Sequence, residues 1–173
     1  YQISFRTNYK IRGFLMSDLY ANFAELEANE TYGVDYSITK QEHPTSDITI
    51  FTPHGGGIEV GTSEAVNAVA KDIANKYLFE GLKSSGNGDL HITSTNFDEP
   101  QALQLIPSKE RAISLHGYSD PDNQVIMMGG LDTSLRDVLK TKFINEGFNV
   151  VITDSTTGLQ GIEPDNIVNR CSS

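Results

Sequence analysis

Residues 48–66 read ITIFTPHGGGIEVGTSEAV, and this stretch decides the class of fold. Ile48-Thr-Ile-Phe51 is a β-branched run that ends at Pro53, the pattern of a short strand. Beyond the glycines, Val66, Val69, Ala70, Ile73 and Tyr77 recur at i, i+3, i+4, i+7 and i+11, which predicts one buried helix face. Thr62 or Ser63 stands where a helix cap belongs, and Glu64 in the first turn suits the helix dipole. A strand, a glycine loop and a helix in succession make one unit of an α/β sheet. The loop of such a unit lies at the carboxyl end of its strand, where ligands bind.

The rest of the chain continues the alternation. Leu78-Phe79, Leu90-His-Ile-Thr93, Ala112-Ile-Ser-Leu-His116, Val125-Ile-Met-Met128 and Val150-Val-Ile152 read as strands. Pro100 to Ile106 reads as a short helix. Leu131, Leu135, Val138, Leu139 and Phe143 outline a longer one, with Asp132 or Thr133 at its start and Gly147 just past its end. The first 45 or so residues read as an amphipathic lead-in, in which Leu19, Phe23 and Leu26 keep helical spacing until Thr31-Tyr-Gly breaks it. The expected architecture is a single α/β domain over residues 1–173, a mixed, largely parallel sheet flanked by helices.

Composition narrows the function. The chain has 173 residues, 38% of them hydrophobic and 21% charged, as in an ordinary soluble globular protein. No apolar run is long enough to span a membrane, and the patch Ile11 to Leu15 is too brief for a signal peptide. Thirteen basic against 23 acidic residues give a net charge of −10, which argues against nucleic acid as a partner. The single Cys171 rules out an internal disulfide framework and a cysteine zinc site.

His54 and Glu59 flank the glycines Gly55, Gly56 and Gly57, which lack a Cβ and so leave the loop free to turn both side chains to one point. Imidazole and carboxylate are both good zinc ligands, and a catalytic zinc needs three protein ligands with one position left open. A phosphate-cradling loop, or a tight turn with a solvated Glu59, stay open at this point, although the loop has neither the lysine nor the spacing of the common phosphate motifs. Ser114-Leu-His-Gly-Tyr-Ser-Asp120 then ends a second strand in a histidine, His116. Two parallel strands would place both imidazoles over one edge of the sheet.

Four stretches in order, Pro53-His-Gly-Gly-Gly-Ile-Glu-Val-Gly-Thr-Ser-Glu64, Gly86-Asn-Gly-Asp-Leu-His-Ile-Thr-Ser-Thr-Asn-Phe-Asp-Glu-Pro100, Leu115-His-Gly-Tyr118 and Asp165-Asn-Ile-Val-Asn-Arg-Cys171, resemble those of the poly-γ-glutamate hydrolases of bacilli and their phages. The resemblance runs from about residue 25 to the end of the chain. It implies a fold similar to zinc carboxypeptidases and one zinc ion per chain, bound by His54, Glu59 and His116. It departs from the carboxypeptidases in spacing: their first two ligands stand closer, whereas four residues separate His54 from Glu59. It implies a substrate-binding role for Asn169, Arg170 and His91, Arg170 gripping a carboxylate through its two-pronged guanidinium. The family pattern continues past the Asn-Arg motif to a further glutamate, the expected general base, which would lie beyond Ser173; Glu163 is the glutamate nearest the end.

Several expectations follow from that resemblance. The activity is endo-cleavage of γ-glutamyl amide bonds in poly-γ-glutamate by a monomer of phage or bacterial origin, acting outside the cell or released on host lysis. A polyanionic substrate calls for a locally cationic site in this acidic chain, with Lys83, Lys109, Arg111 and Arg170 as the candidates. Asp98 and Glu99 could orient an imidazole or cap the helix at Pro100. Two rivals are a zinc-dependent cell-wall N-acetylmuramoyl-L-alanine amidase and an inactive polyglutamate-binding relative.

Overall fold

The computed structural model describes residues 2–6, 18–118 and 124–172. The Ile11–Leu15 patch and the end of the His116 stretch, at Asp120, lie outside them. In chain order the elements are β1 (Gln2–Arg6), α1 (Phe23–Asn29), β2 (Tyr36–Gln41), β3 (Ile48–Gly56), α2 (Thr62–Ala70), β4 (Asn75–Gly81), α3 (Pro100–Leu105), β5 (Arg111–Tyr118), β6 (Ile126–Gly129), α4 (Thr133–Asn145) and β7 (Val150–Ile152). Single 3₁₀ turns cover Asn87–Leu90, Ile106–Ser108 and Ile167–Arg170.

The strands form one sheet in the order β2-β4-β3-β5-β1-β6-β7. β3 runs parallel to both β4 and β5, β1 parallel to β5, and β7 parallel to β6, whereas β2 and β6 pair antiparallel with β4 and β1. The expected mixed, largely parallel sheet is therefore present. Alternation along the strands divides its core in two. Phe51, Tyr77 and Phe79 join Phe23 and Leu26 of α1 and Ala102 and Leu105 of α3 on one face. Ile50, Leu78 and Leu115 meet Val66 and Ala70 of α2 on the other, with Leu139 and Phe143 of α4 partly buried beside them.

Two buried polar contacts lock the central strands. Asn75 donates to the carbonyls of Ser46 and Ile48 at 2.7 and 2.9 Å and accepts from the His43 N–H, tying the start of β4 to that of β3. Tyr77 donates to Glu99 Oε2 at 2.8 Å, and the same oxygen caps α3 through Ala102 N–H at 2.8 Å. Of the two roles considered for Glu99, capping is the one observed; Asp98 accepts from the Phe23 N–H instead and fixes the start of α1. Tyr77→Phe should cost about 1–3 kcal/mol, since it strips a donor from a buried carboxylate. Equilibrium urea unfolding checks this, and an unchanged midpoint would show that the cap alone satisfies Glu99.

The structure departs from the sequence reading at four elements. Helix α2 ends at Ala70, where Lys71 takes φ +36°, so Val69 and Ile73 are exposed and Tyr77 belongs to β4. Its N-cap is Gly61, with no side-chain cap; Thr62 and Ser63 turn back to bond the glycine loop instead. The stretch Leu90–Thr93 is a 3₁₀ turn and a loop, not a strand. The lead-in also contains two strands, β1 and β2, the former inserted between β5 and β6. For α4 both boundaries hold: Asp132 accepts from Leu135 N–H at 3.1 Å, and Gly147 follows the helix with φ +88°.

Candidate functional site

His54 lies two residues from the end of β3 and His116 two from the end of β5, so neighbouring parallel strands deliver both imidazoles to one edge of the sheet. Glu59 reaches the same point by a loop that folds back on itself. Glu59 N–H donates to the His54 carbonyl at 3.0 Å, and the Thr62 hydroxyl lies 3.1 and 2.8 Å from the carbonyls of His54 and Glu59. Among the three loop glycines only Gly56 has positive φ, +61°. Gly55 and Gly57 serve close approach: a Cβ there would lie 2.5 Å from Ser63 Oγ and 2.3 Å from Asn87 Nδ2 respectively.

Three ligand groups converge. His54 Nδ1 lies 3.1 Å from Glu59 Oε1 and 3.1 Å from His116 Nδ1, and His116 Nδ1 lies 3.4 Å from Glu59 Oε2. The second nitrogen of His54 is 2.8 Å from the Ile92 carbonyl, which only accepts, so Nε2 carries a hydrogen and Nδ1 faces the cluster. His116 Nε2 is 2.9 Å from Ser114 Oγ, a hydroxyl able to receive its hydrogen. Lone pairs this close beside a carboxylate require a positive centre among them, either a proton or a cation. Ligands about 2.0–2.2 Å from a tetrahedral zinc stand roughly 3.3–3.5 Å from one another, so the donor set fits that ion in type and spacing. Burial acts to raise the pKa of Glu59, but the two imidazoles outweigh it and hold the carboxyl well below the usual carboxylate range. Gly117 N–H donates to its Oε2 at 2.8 Å and completes its hold.

His91 is the other histidine here, with a ring nitrogen within 4.8 Å of donor atoms on His54 and Glu59. Its ring lies 4.0 Å from that of His54, and its Nδ1 is engaged by Asp18 at 2.8 Å. The nearby His54, together with burial, brings the His91 pKa down to about 4. As a third ligand His116 has the better geometry, since its Nδ1 already touches both other donors.

These side chains line a cavity of about 320 Å³ with Ser4, Thr93, Ser94, Thr95, Gly161, Glu163 and Asn166. A larger apolar groove of about 730 Å³ lies on the α2–α4 side of the sheet and has no titratable side chain among its described lining residues. Asn169 and Arg170 do not line the site cavity. Asn169 donates to the carbonyls of Gly161 and Glu163, both at 2.9 Å, and so shapes the loop that forms one wall. Arg170 donates twice to the Asp165 carbonyl, at 3.2 and 2.9 Å. The expected cationic rim does not assemble either. Lys83 pairs with Glu30, Lys109 with Glu42 and Arg111 with Asp132, and no lysine or arginine is among the described cavity residues. An acidic chain offers each cation a nearer partner than a distant substrate. The sequence reading missed Asp18, Ser114, Ser94 and the Ile92 carbonyl; the DLHITS run contains two of them, but a backbone carbonyl has no residue signature.

A mixed α/β sheet with two imidazoles and a carboxylate joined in a cavity at the carboxyl ends of its parallel strands defines an α/β protein with a candidate metal centre. The chain belongs to the poly-gamma-glutamate hydrolase family, whose profile matches residues 20–173. It is 43% identical over 160 residues to the UPF0714 protein YndL of Bacillus subtilis (strain 168), a match covering 92% of this chain and 62% of that protein. It is 39% identical over 158 residues to the SPbeta prophage-derived UPF0714 protein YoqZ of the same strain, covering 91% and 56%. The chain thus spans about three fifths of the length of these curated relatives. Among solved structures it is similar to a bacteriophage poly-gamma-glutamate hydrolase, with a TM-score of 0.86 and 42% identity over 91% of this chain and 75% of that one. The zinc-free apo form of YndL is similar at a TM-score of 0.85 and 43% identity, over 91% and 76%.

Proposed function

We propose that the protein is a zinc-dependent hydrolase of the γ-glutamyl amide bonds of poly-γ-glutamate, cutting within the chain, with one zinc ion held by His54, Glu59 and His116. The observation that carries this reading is the meeting of His54 Nδ1, His116 Nδ1 and the Glu59 carboxylate within 3.1–3.4 Å of one another. Family membership and the existence of a zinc-free form of a close relative support it. When bound, zinc supplies a Lewis acid for the amide carbonyl and lowers the pKa of water towards 7.

The chain's own residues supply the rest. The Ile92 carbonyl and the Ser114 hydroxyl hold the two imidazoles with Nδ1 facing inward. The Gly117 N–H and the loop turn fix Glu59. His91 stands on the cavity wall as the substrate-binding residue, and the hydroxyls of Thr93, Ser94 and Thr95 line the same wall as neutral hydrogen-bonding partners for an anionic chain. Asn169 and Arg170 hold the opposite wall in place. A prophage-derived relative supports a phage or bacterial origin and release on host lysis. Among the described residues, no helix is long and apolar enough to cross a membrane.

The test is a time course of zinc-loaded protein on high-molecular-weight poly-γ-glutamate, with viscosity and newly formed amino groups measured together. Endo-cleavage predicts that viscosity collapses while few amino groups have appeared. Intact polymer in the presence of zinc-loaded protein would sink the reading. Ser114→Ala probes the second layer of the site. Loss of the partner that orients a ligating histidine costs about 10–100-fold in metal affinity, and competition with a chelator should show a weakening of that order. An unchanged affinity would mean that Ser114 does not orient His116.

A further inference from the structure

Asn166 stands in the cavity wall and is only 5% exposed. Its backbone is fully engaged: the N–H donates to the Glu163 carbonyl at 3.0 Å, and the carbonyl accepts the Asn169 N–H at 2.9 Å. The side-chain oxygen is engaged as well, since Oδ1 accepts the Val168 N–H at 3.1 Å and caps the 3₁₀ turn Ile167–Arg170. An N–H can be given only to the oxygen of an amide, so this bond fixes which end of the side chain is which and turns the NH₂ group the other way. Among the described residues Nδ2 has no hydrogen-bond partner. Nor is it sealed in protein, because Thr49 Oγ1 is the sealed side-chain polar atom without a partner among those residues. An unpaired donor on a cavity-lining side chain therefore opens onto the cavity. The surrounding wall is polar too: Ser4 and Ser94 are buried in it, and the Ser94 carbonyl holds the Ile167 N–H at 2.9 Å beside Asn166. Capping alone does not call for this donor, since serine or aspartate caps as well.

We propose that Asn166 is a substrate-binding residue whose NH₂ group donates to the α-carboxylate of one glutamyl residue of the polymer. This rests on the polyglutamate reading above and deepens it, naming the side chain that recognises the charge of the substrate. A γ-linked chain offers two kinds of acceptor, the amide carbonyl and the free α-carboxylate. The carboxylate is the stronger partner, because a hydrogen bond to an ionised acceptor is about twice as strong as one to a neutral group. It is also the group that this cavity receives with neutral donors, no lysine or arginine being among its described lining residues. Among those donors the hydroxyls rotate and accept as readily as they donate, whereas the NH₂ of Asn166 is fixed and only donates. Glu163 lines the same wall, but it is exposed, and solvent and salt screen its repulsion. The role expected of Arg170, whose guanidinium is turned to the Asp165 carbonyl, thus passes to a residue four positions earlier.

The test uses a short γ-linked glutamate oligomer and a set of analogues in which each residue in turn is replaced by 4-aminobutyrate. That replacement keeps the γ-linked backbone and deletes one α-carboxylate. Asn166→Ser keeps a cap for the Val168 N–H and withdraws the NH₂ donor without adding charge; Asn166→Asp keeps the cap and puts a charged oxygen in the donor's place. Asn166→Ser should bind the parent oligomer at least about tenfold more weakly, the worth of a hydrogen bond to a charged group, and Asn166→Asp more weakly still. One analogue should bind the unsubstituted protein with the same loss, and Asn166→Ser should bind that analogue as tightly as the unsubstituted protein does. Zinc content and the urea midpoint should stay unchanged in Asn166→Ser. Unchanged affinity in both variants would overturn the proposal and leave Asn166 a cap. So would a loss in Asn166→Ser spread evenly over the whole set, or an unsubstituted protein that does not bind the oligomer. Affinity is read at equilibrium and cleavage separately as kcat/KM of the zinc-loaded protein. An oligomer that binds with this pattern but is never cut would remove the hydrolase reading and keep the contact.

Discussion

Replacing His54 by alanine is expected to abolish both zinc binding and polymer shortening. Loss of a mere outer partner of a ligand costs about 10–100-fold, so loss of the ligand itself should exceed a hundredfold in both readouts. The effect on stability should depend on metal. Without zinc, the variant loses the bond from Nε2 to the Ile92 carbonyl, leaving that acceptor orphaned at about 1–3 kcal/mol. With zinc at about a thousandfold above its dissociation constant, the unsubstituted protein should gain roughly 4 kcal/mol, because the ion binds only the folded state. The variant should gain almost nothing. Thermal unfolding with and without zinc therefore separates a lost ligand from a generally damaged fold. A variant that keeps both its zinc and its zinc-induced stabilisation would remove His54 from the centre.

Much of this centre is legible in the chain because its first two members are close in sequence. A β-branched run, three glycines and a periodic helix announce a strand-loop-helix unit, and the loop then has a known place at the sheet edge. His116 is legible for the same reason, as a histidine closing a second apolar run. What escapes is whatever depends on distant pairing. Asp18 meets His91 across 73 residues, and the acceptor for His54 is the carbonyl of Ile92, a group that every residue possesses. The Leu90–Thr93 stretch shows how that misleads. Leu90 and Ile92 alternate with polar neighbours and are fully buried, as in a strand, yet the Ile92 carbonyl serves an imidazole rather than a ladder. The helix reading overran to Tyr77 because a 3.6-residue period happened to continue into β4, past the backbone reversal at Lys71. The cations misled for an electrostatic reason: in a chain of net charge −10, Lys83, Lys109 and Arg111 each find a carboxylate, and sequence order does not say which.

The same loop sets the other large effect, expected from Gly56→Ala. Gly56 has φ +61°, where an L side chain is strained by about 1–2 kcal/mol. Its new Cβ would also lie 2.5 Å from the Gly81 carbonyl oxygen and 3.1 Å from the Gly81 nitrogen, both backbone atoms of the paired strand β4. Backbone paired on both sides, as Gly81 is with Gly56 and Tyr36, does not step aside as a flexible side chain would, and such overpacking costs about 1–3 kcal/mol more. Together these predict a loss of about 2–5 kcal/mol, which in a domain of this size lowers the thermal midpoint by roughly 4–20 °C. The site should suffer with the fold. Relief of the clash pushes β3 away from β4 at the point where the chain leaves His54 for Glu59, opening the 3.0 Å turn bond that brings the two ligands together. Gly61→Ala is the matched control: it has φ +97° but nothing within 4 Å of the added Cβ, so it has the strain without the collision. Gly56→Ala should thus be the less stable of the two by more than about 1 kcal/mol and should bind zinc more weakly. Equal stability and equal zinc affinity in the pair would show that the glycine run serves only to bend the chain, and that its close seat against β4 plays no part in holding His54 and Glu59 together.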